Sequence, residues 1–405
     1  MTSNAPVPLP LSGIRVIEMS IWIQGPMAGM ILADLGAEVI NLEKPVSGTM
    51  GRGARSMQGR SIMLPSGESV MYRAPNRNKK SITLDLRQGK SREVLYRLVK
   101  ASDVFLSNLT ERSLRDFGAD YETIKGINPG IIYAHGNTFG FKGPDAHTRG
   151  QDTTGMARSG FLMNTPRPDG GPTYPVGAMS DVLTATMLAF GTVTALFNRD
   201  RHGASLKVTG SQLQSMMWLQ YFNLALQANL GYDFPPFSRD KQWNPLFNFY
   251  RTQDGRWLAI GEYVTDKIWP DFCQAIGHIE WGKDPRYCSE PLRKENNEEL
   301  IKKLEAVFAS QPFAHWASLL NSINACFSLV QDTTDLLDDP QVKANRFMTQ
   351  FDDGLWMVSS PFTLEDVPLP ARGAPQLGTD LGQVLVDVGG YTWEEIAALA
   401  SQNII

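Results

Sequence analysis

The chain has 405 residues, 42% of them apolar and 20% charged, with 36 glycines and 25 prolines. That is the make-up of a folded globular protein with room for two or three domains. Lysine and arginine number 38 against 42 aspartates and glutamates, a net charge of −4, so no basic surplus marks a nucleic-acid binder. No uninterrupted apolar run reaches the roughly 18–20 residues that span a bilayer. The start, Met1-Thr2-Ser3-Asn4-Ala5-Pro6, has neither a basic nor an apolar signal region. Cys273, Cys288 and Cys326 are odd in number, and neither they nor the histidines have metal-ligand spacing. A cytoplasmic protein is expected, with no metal, no nucleic acid and no membrane partner.

Residues 14–19 are a short apolar run suited to a buried strand. Gln24-Gly25-Pro26 opens a helix, with Pro26 in the first turn, where a missing N–H needs no partner. Gly36 ends it, and residues 38–42 make a second strand. The alternation continues with a strand at 81–86, a helix at about 90–101, and strands at 104–106 and 131–135. Such alternation predicts an α/β fold with a parallel sheet covered on both faces. A long apolar helix follows at 181–198, then Gly203, a strand at 204–208 and a second helix at 212–230. Residues 231–262 are rich in proline, asparagine and aromatics and end in a hairpin turning at Asp254-Gly255. Helices at 298–309 and 313–321 come next, and Thr392 with Glu395 forms a capping box for the last helix. The expected organisation is a large domain over residues 1–224, a smaller α+β domain over 225–325, and a return to the large domain over 326–405.

Few residues carry chemistry by spacing alone. Gly25-x-x-x-Gly29, with Glu43 ending the next strand, lacks the GxGxxG spacing that lets backbone approach a pyrophosphate. Helix packing is the better account of those glycines, and a nicotinamide oxidoreductase lacks its fingerprint. No Walker loop and no GxSxG elbow is present. Residues 76–87 set a group of cations around a strand, fit either to receive phosphates or to solvate a strand end. Asp181 precedes the long helix and by position alone is an N-cap; the alternative is an anion held at a helix start by the dipole.

Four segments in order resemble one family: LSGIRVIEMS…GPMAGMILADLGAEVINLEKP, NRNKKSITLDL, NPGIIYAHGNTFGFKGP, and the run from Gly150 to Asp181. They are similar to the class III CoA-transferases, the CaiB/BaiF family, across nearly the whole chain. The resemblance implies a large Rossmann-like domain made from both chain ends, a small inserted α+β domain and an interlocked homodimer. It implies transfer of CoA from an acyl-CoA donor to a free carboxylic acid through an aspartate, which falls on Asp181. That carboxylate would attack the donor thioester to give a mixed anhydride and free thiolate. The thiolate then forms an aspartyl-CoA thioester, and the acceptor acid reverses the sequence. Each step passes through an oxyanion, so backbone N–H donors near Asp181 are expected.

The resemblance also separates rival activities. α-Methylacyl-CoA racemases share the fold and need a histidine where this chain has Gln151, and an amide accepts no α-proton. Gln151 is expected to contact the acyl group or to pack. The second rival is a CoA-binding protein without turnover, in which Asp181 only caps a helix. Matched positions make Lys44, Leu84, Arg87, Asn108 and Arg149 expected CoA contacts, with Lys44 and the arginines suited to phosphates, and Gln24 is expected among the contacts although it is not at a matched position. Ile23 stands where formyl-CoA transferases hold a glutamine, with Gln24 one place later. Asp116 replaces a basic residue, with Arg112 and Arg115 nearby, and residues 236–248 replace a glycine-rich loop. Together with Leu183-Thr184-Ala185-Thr186, these departures put the chain closer to the carnitine-type branch and argue against oxalate or formate. Trp243, Phe247 and Phe249 either line a larger acceptor pocket or belong to core.

Overall fold

The computed structural model describes residues 7–164, 170–232, 237–365 and 367–405. The six leading residues inspected for a signal, Pro236 of the loop segment and part of the Gly150-to-Asp181 run lie outside them. The chain divides into two compact units, Met1–Phe234 with Phe347–Ile405, and Pro235–Arg346.

In the first unit six strands make one parallel sheet: β1 (Arg15–Met19), β2 (Glu38–Glu43), β3 (Lys80–Thr83), β4 (Val104–Ser107), β5 (Ile132–Asn137) and β6 (Lys207–Ser211). Their order across the sheet is β3-β2-β1-β4-β5-β6, so the winding direction reverses between β1 and β4. Side chains alternate between the two faces. Val16, Val39, Val104 and Ile132 pack with α1 (Gln24–Asp34), while Ile17, Ile40, Phe105 and Tyr133 pack with α2 (Gly89–Lys100) and the helices Leu381–Asp387 and Trp393–Ser401. Both faces are therefore buried, which is why these strands read as apolar runs rather than alternating ones.

Three more helices of this unit shape the site, with a fourth continuing beyond them. They are α3 (Asp152–Arg158), α4 (Met179–His202), α5 (Gln212–Leu219) and α6 (Tyr221–Leu230). Helix α4 has 24 residues and contains an 18-residue stretch of mean hydropathy 1.4, the length and composition of a membrane-crossing segment. Its Ala185, Leu188, Ala189, Ala195 and Leu196 are nonetheless buried in the same cluster as the strand residues Val104 and Ile132.

Local boundaries depart from the sequence expectation where tertiary partners decide them. The last strand runs over Lys207–Ser211 rather than 204–208, in register with Tyr133–Asn137 of β5. The helix expected over 212–230 breaks at Gln220, whose amide donates to Ser159 O and Met216 O and accepts from Asn164 Nδ2. The strand expected over 81–86 ends at Thr83, because the Asp85 N–H turns away to Ile404 O at 2.9 Å.

The second unit pairs an antiparallel sheet with helices. The hairpin β7 (Phe247–Arg251) and β8 (Trp257–Gly261) is joined by β9 (Phe327–Val330) in the order β9-β8-β7. Helices Thr265–Ala275, Asn297–Phe308 and Phe313–Ser322 close a core around Tyr250, Trp269, Phe272, Phe308 and Trp316. The division falls at 234/235 and 346/347 instead of at 225 and 325. The later boundary moves because β9, beyond residue 325, pairs with β8.

Candidate active site

Asp181 is the third residue of α4, so it is not the cap of that helix. The N-cap position belongs to Ala178, in the left-handed region at φ 51°. The free N–H groups that open α4 are satisfied from another helix. Asp152, first residue of α3 and buried, accepts through Oδ1 from Ser180 N (2.8 Å), Ser180 Oγ (2.8 Å) and Asp181 N (3.1 Å). Its Oδ2 accepts from the Tyr174 hydroxyl at 2.9 Å. A carboxylate from α3 thus does the capping that position alone assigns to Asp181.

Among the described residues the Asp181 carboxylate has one side-chain hydrogen-bond partner, Gln212, whose Nε2 donates to Oδ1 at 2.5 Å. Gln212 is the first residue of α5, directly after β6, and Ser211 before it caps α5 by accepting from Gln214 N at 3.1 Å. A strand end and a capped helix start fix this amide in place. Burial and the nearby Asp152 carboxylate push the Asp181 carboxyl up to about 7, with the Gln212 hydrogen bond pulling the other way. A half-buried acid that titrates near neutrality at a helix start has the profile of a reactive group.

Five of the expected site residues, and Gln212, which was not among them, follow strand ends at one edge of the sheet, since parallel strands put all their C-terminal ends together. Gln24 follows β1, Lys44 follows β2, Leu84 and Arg87 follow β3, Asn108 follows β4, and Gln212 follows β6. Their side chains differ in availability. Lys44 and Arg149 are exposed and make no ion pair among the described residues. Arg87 is exposed and pairs with Asp85 at 2.8 Å. Leu84 is buried in the core. Asn108 spends both ends of its amide on Ile21, accepting from its N–H (2.9 Å) and donating to its carbonyl (2.8 Å). Gln24 is buried and donates to Asn137 O at 3.1 Å. Gln151 is exposed beside Asp152, with its backbone N–H on Thr154 Oγ1 at 2.8 Å.

Three cations of residues 76–87, Arg77, Lys79 and Lys80, are taken up by carboxylates of neighbouring elements, while Arg87 stays exposed. Arg77 is buried against Asp34 (2.6 Å), and Lys80 pairs with Glu38 (2.6 Å). Lys79 is fully buried, donating to Glu18 (2.9 Å), Pro26 O (2.8 Å) and Asn76 Oδ1 (2.9 Å). Gly29 makes room for this: a Cβ there would stand 1.8 Å from Glu18 Oε2. Glu43, at the end of β2, is taken up by Arg52, Ser81 Oγ (2.7 Å) and Thr49 N (3.0 Å) and is not free to hold a ribose. Of the aromatics named for an acceptor pocket, Phe249 lines a cavity of about 350 Å³ with Arg239, Trp257 and Val330. Phe247 packs on Tyr263 at 4.7 Å instead.

Two residues of this arrangement have no local signal in the sequence. Gln212 reaches Asp181 only because β6 lies where it does, and Asp152 caps a helix that begins 27 positions later, at Met179. A buried, partner-bearing amide next to a titratable acid is visible only in three dimensions.

A parallel α/β unit with a half-buried carboxyl raised towards neutrality and held by an amide that follows a strand end is a candidate reactive site. The family model of CoA-transferase family III matches residues 11–381, and the chain belongs to that family; it is a CoA-transferase of the acyl-CoA:carboxylate class. It is 28% identical to the (R)-2-hydroxy-4-methylpentanoate CoA-transferase of Clostridioides difficile, over 98% of this chain and 99% of that one. It is 29% identical to the succinyl-CoA–D-citramalate CoA-transferase of Chloroflexus aurantiacus, over the full length of both. Its fold matches the crystal structure of a CaiB/BaiF family protein from Brucella suis with a TM-score of 0.84 at 26% identity, covering 94% of this chain and all of the other.

Proposed function

We propose that this enzyme moves CoA from an acyl-CoA to a free organic acid with Asp181 as the nucleophile. The observation that carries this is the Asp181 carboxyl itself, held by Gln212 and raised to about 7 by burial and by Asp152. An ionised carboxylate there is poorly solvated, and so more reactive than one in water. Asp181 attacks the donor thioester carbon to form an anhydride and release thiolate. It then accepts that thiolate at its own carbonyl carbon, releasing the donor acid and keeping CoA as a thioester. The acceptor carboxylate attacks this thioester, and the same steps run backwards.

CoA would lie along the C-terminal edge of the sheet, where ligands of open α/β sheets bind. Lys44 and Arg149, exposed and without carboxylate partners among the described residues, suit its phosphates. Arg87 joins them after leaving Asp85, an exposed pair worth little. Gln24, Leu84 and Asn108 form the floor beneath, and Gln151 faces the acyl group. The strand order supports the reading of the first unit as a Rossmann-like domain, and the chain division supports residues 235–346 as the inserted one. Helix α6 has no buried residue, and Trp218, Tyr221, Phe222 and Leu230 are exposed on α5 and α6. Apolar area of this kind supports a homodimer. The unpaired cysteines suit the cytoplasm. The acceptor is an organic acid larger than oxalate.

The test is to incubate the enzyme with acyl-CoA, trap with hydroxylamine and locate the modified residue by peptide mass. Modification at Asp181, lost in Asp181→Ala with CoA binding kept, is the expected result. Solvent deuterium entering the α-carbon without CoA exchange would select a racemase instead.

A further inference from the structure

Gln212 is buried, at 3% exposure, yet its amide is only half used. Nε2 donates to Asp181 Oδ1 at 2.5 Å, while Oε1 is buried without a hydrogen-bond partner among the described residues. An unpaired buried carbonyl is costly, and a methionine or leucine would fill the same space without that cost. The amide is also held from behind by α3: a Cβ on Gly155 would stand 2.5 Å from Gln212 Cβ and 2.8 Å from Oε1. Glycine at that position lets the Gln212 side chain lie against the helix. One donor is thus fixed on one oxygen of the acid. The Asp181 backbone N–H, a nearby backbone donor, is already committed to Asp152.

We propose that Gln212 is a catalytic residue, the oxyanion donor for the step in which thiolate adds to the side-chain carbonyl carbon of Asp181. The inference rests on the reading of Asp181 as nucleophile. In the first step the oxygen not held by Gln212, Oδ2, forms a bond to the acyl carbon. The carbon–sulfur bond breaks, and its electron pair leaves on sulfur. The thiolate then bonds to Cγ, and the Cγ–Oδ1 π pair moves onto Oδ1, against the Gln212 N–H. Collapse restores the carbonyl and breaks the Cγ–Oδ2 bond, and the donor acid departs as a carboxylate. No proton is gained or lost. The donor sits on the atom where charge appears, so it stabilises the transition state more than the resting carboxylate.

The experiment uses the full-length enzyme with Gln212→Met, which keeps length and removes the donor, and Gly155→Ala, which keeps the amide and displaces it. Gln212→Met should lower kcat about 100-fold or more, leaving KM for acyl-CoA within about 3-fold. It should also move the acid limb of the rate profile to higher pH, because the hydrogen bond favours the ionised acid. The other titratable groups facing Asp181, Asp152 on α3 and the Tyr174 hydroxyl, are unchanged in both variants. Gly155→Ala should lower kcat less, in the same direction. A Gln212→Met enzyme with kcat within about 3-fold of wild type and an unmoved acid limb overturns the inference, as does a loss confined to KM. If Gln212→Met does not fold, Gly155→Ala decides alone: unaltered kcat overturns the proposal. Hydroxylamine labelling of Asp181 in the wild type is read alongside. Its absence sinks the nucleophile reading, whereas labelling with a full-speed Gln212→Met sinks only the role of Gln212.

Discussion

Asp152 on α3 caps α4 from outside, its Oδ1 taking the N–H groups of Ser180 at 2.8 Å and Asp181 at 3.1 Å. One carboxylate therefore holds the helix start and charges the surroundings of another. Replacing it separates the two effects. Asp152→Ala removes four hydrogen bonds at a buried position and should destabilise the protein by about 2–4 kcal/mol, measured by urea unfolding. Asp152→Asn keeps an acceptor and loses the charge, so it should cost less. Because Asp152 helps to raise the Asp181 carboxyl, Asp152→Asn should also move the acid limb of kcat/KM to lower pH. An unmoved limb would mean that burial alone sets it.

Asp181 links activity and stability with opposite signs. Its carboxyl is raised from 3.8 to about 7. Between those values the folded protein holds a proton that the unfolded chain has released. Stability contributed by this group is present at low pH and is lost as pH rises through about 7. The ionised form, the proposed nucleophile, appears over the same rise, so on that proposal kcat/KM should increase towards a plateau above about pH 7. Asp181→Asn should abolish transfer and stabilise the fold at pH 8, on the order of 2 kcal/mol, read by thermal or urea unfolding. A helix-capping aspartate would behave in the reverse way, with its removal lowering stability.

Lys79 gives a test of the interior rather than of the chemistry. Its ammonium is fully buried on Glu18, Pro26 O and Asn76 Oδ1. Lys79→Met leaves Glu18 buried without its cation and should cost about 3–5 kcal/mol. The double change Lys79→Met with Glu18→Gln should recover part of that loss. If the single variant unfolds at the wild-type urea midpoint, the pair carries no weight in the fold.

The same lysine shows why some of this protein was legible in its sequence and some was not. The runs at 14–19, 38–42 and 104–106 announce buried parallel strands, because each is apolar and short and is flanked by helix starts or glycine. The hairpin at Asp254-Gly255 is equally local: β7 and β8 pair across it from Arg251 with Trp257 onward. Arg77, Lys79 and Lys80 mislead, because their partners Asp34, Glu18 and Glu38 lie on α1, β1 and β2, dozens of positions away. Position also misassigns the cap of α4, since the capping carboxylate arrives from α3. Family resemblance marked Asp181, but it could not find Gln212 or the space that Gly155 leaves for it. Those depend on the separation of two helices and a strand end.

Lys44 allows the proposed CoA end of the site to be tested apart from the proposed acyl end. It stands exposed after β2 without an ion pair among the described residues, four strands along the sheet from β6 and Gln212. At about 4.8 Å per strand that separation is roughly 19 Å, too far for the lysine to touch reacting atoms. A role in holding phosphate therefore predicts a binding effect only. Lys44→Ala should raise KM for acyl-CoA about 5–10-fold, the loss of one charge-assisted contact, and leave kcat within about 2-fold. With an acyl-pantetheine donor, which lacks the nucleotide and its phosphates, wild type and Lys44→Ala should have the same kcat/KM. Added salt should erode the wild-type advantage with acyl-CoA and leave the pantetheine comparison flat. Equal KM values for the two enzymes with acyl-CoA at low salt would remove Lys44 from the phosphate site and shift that role to Arg87 or Arg149.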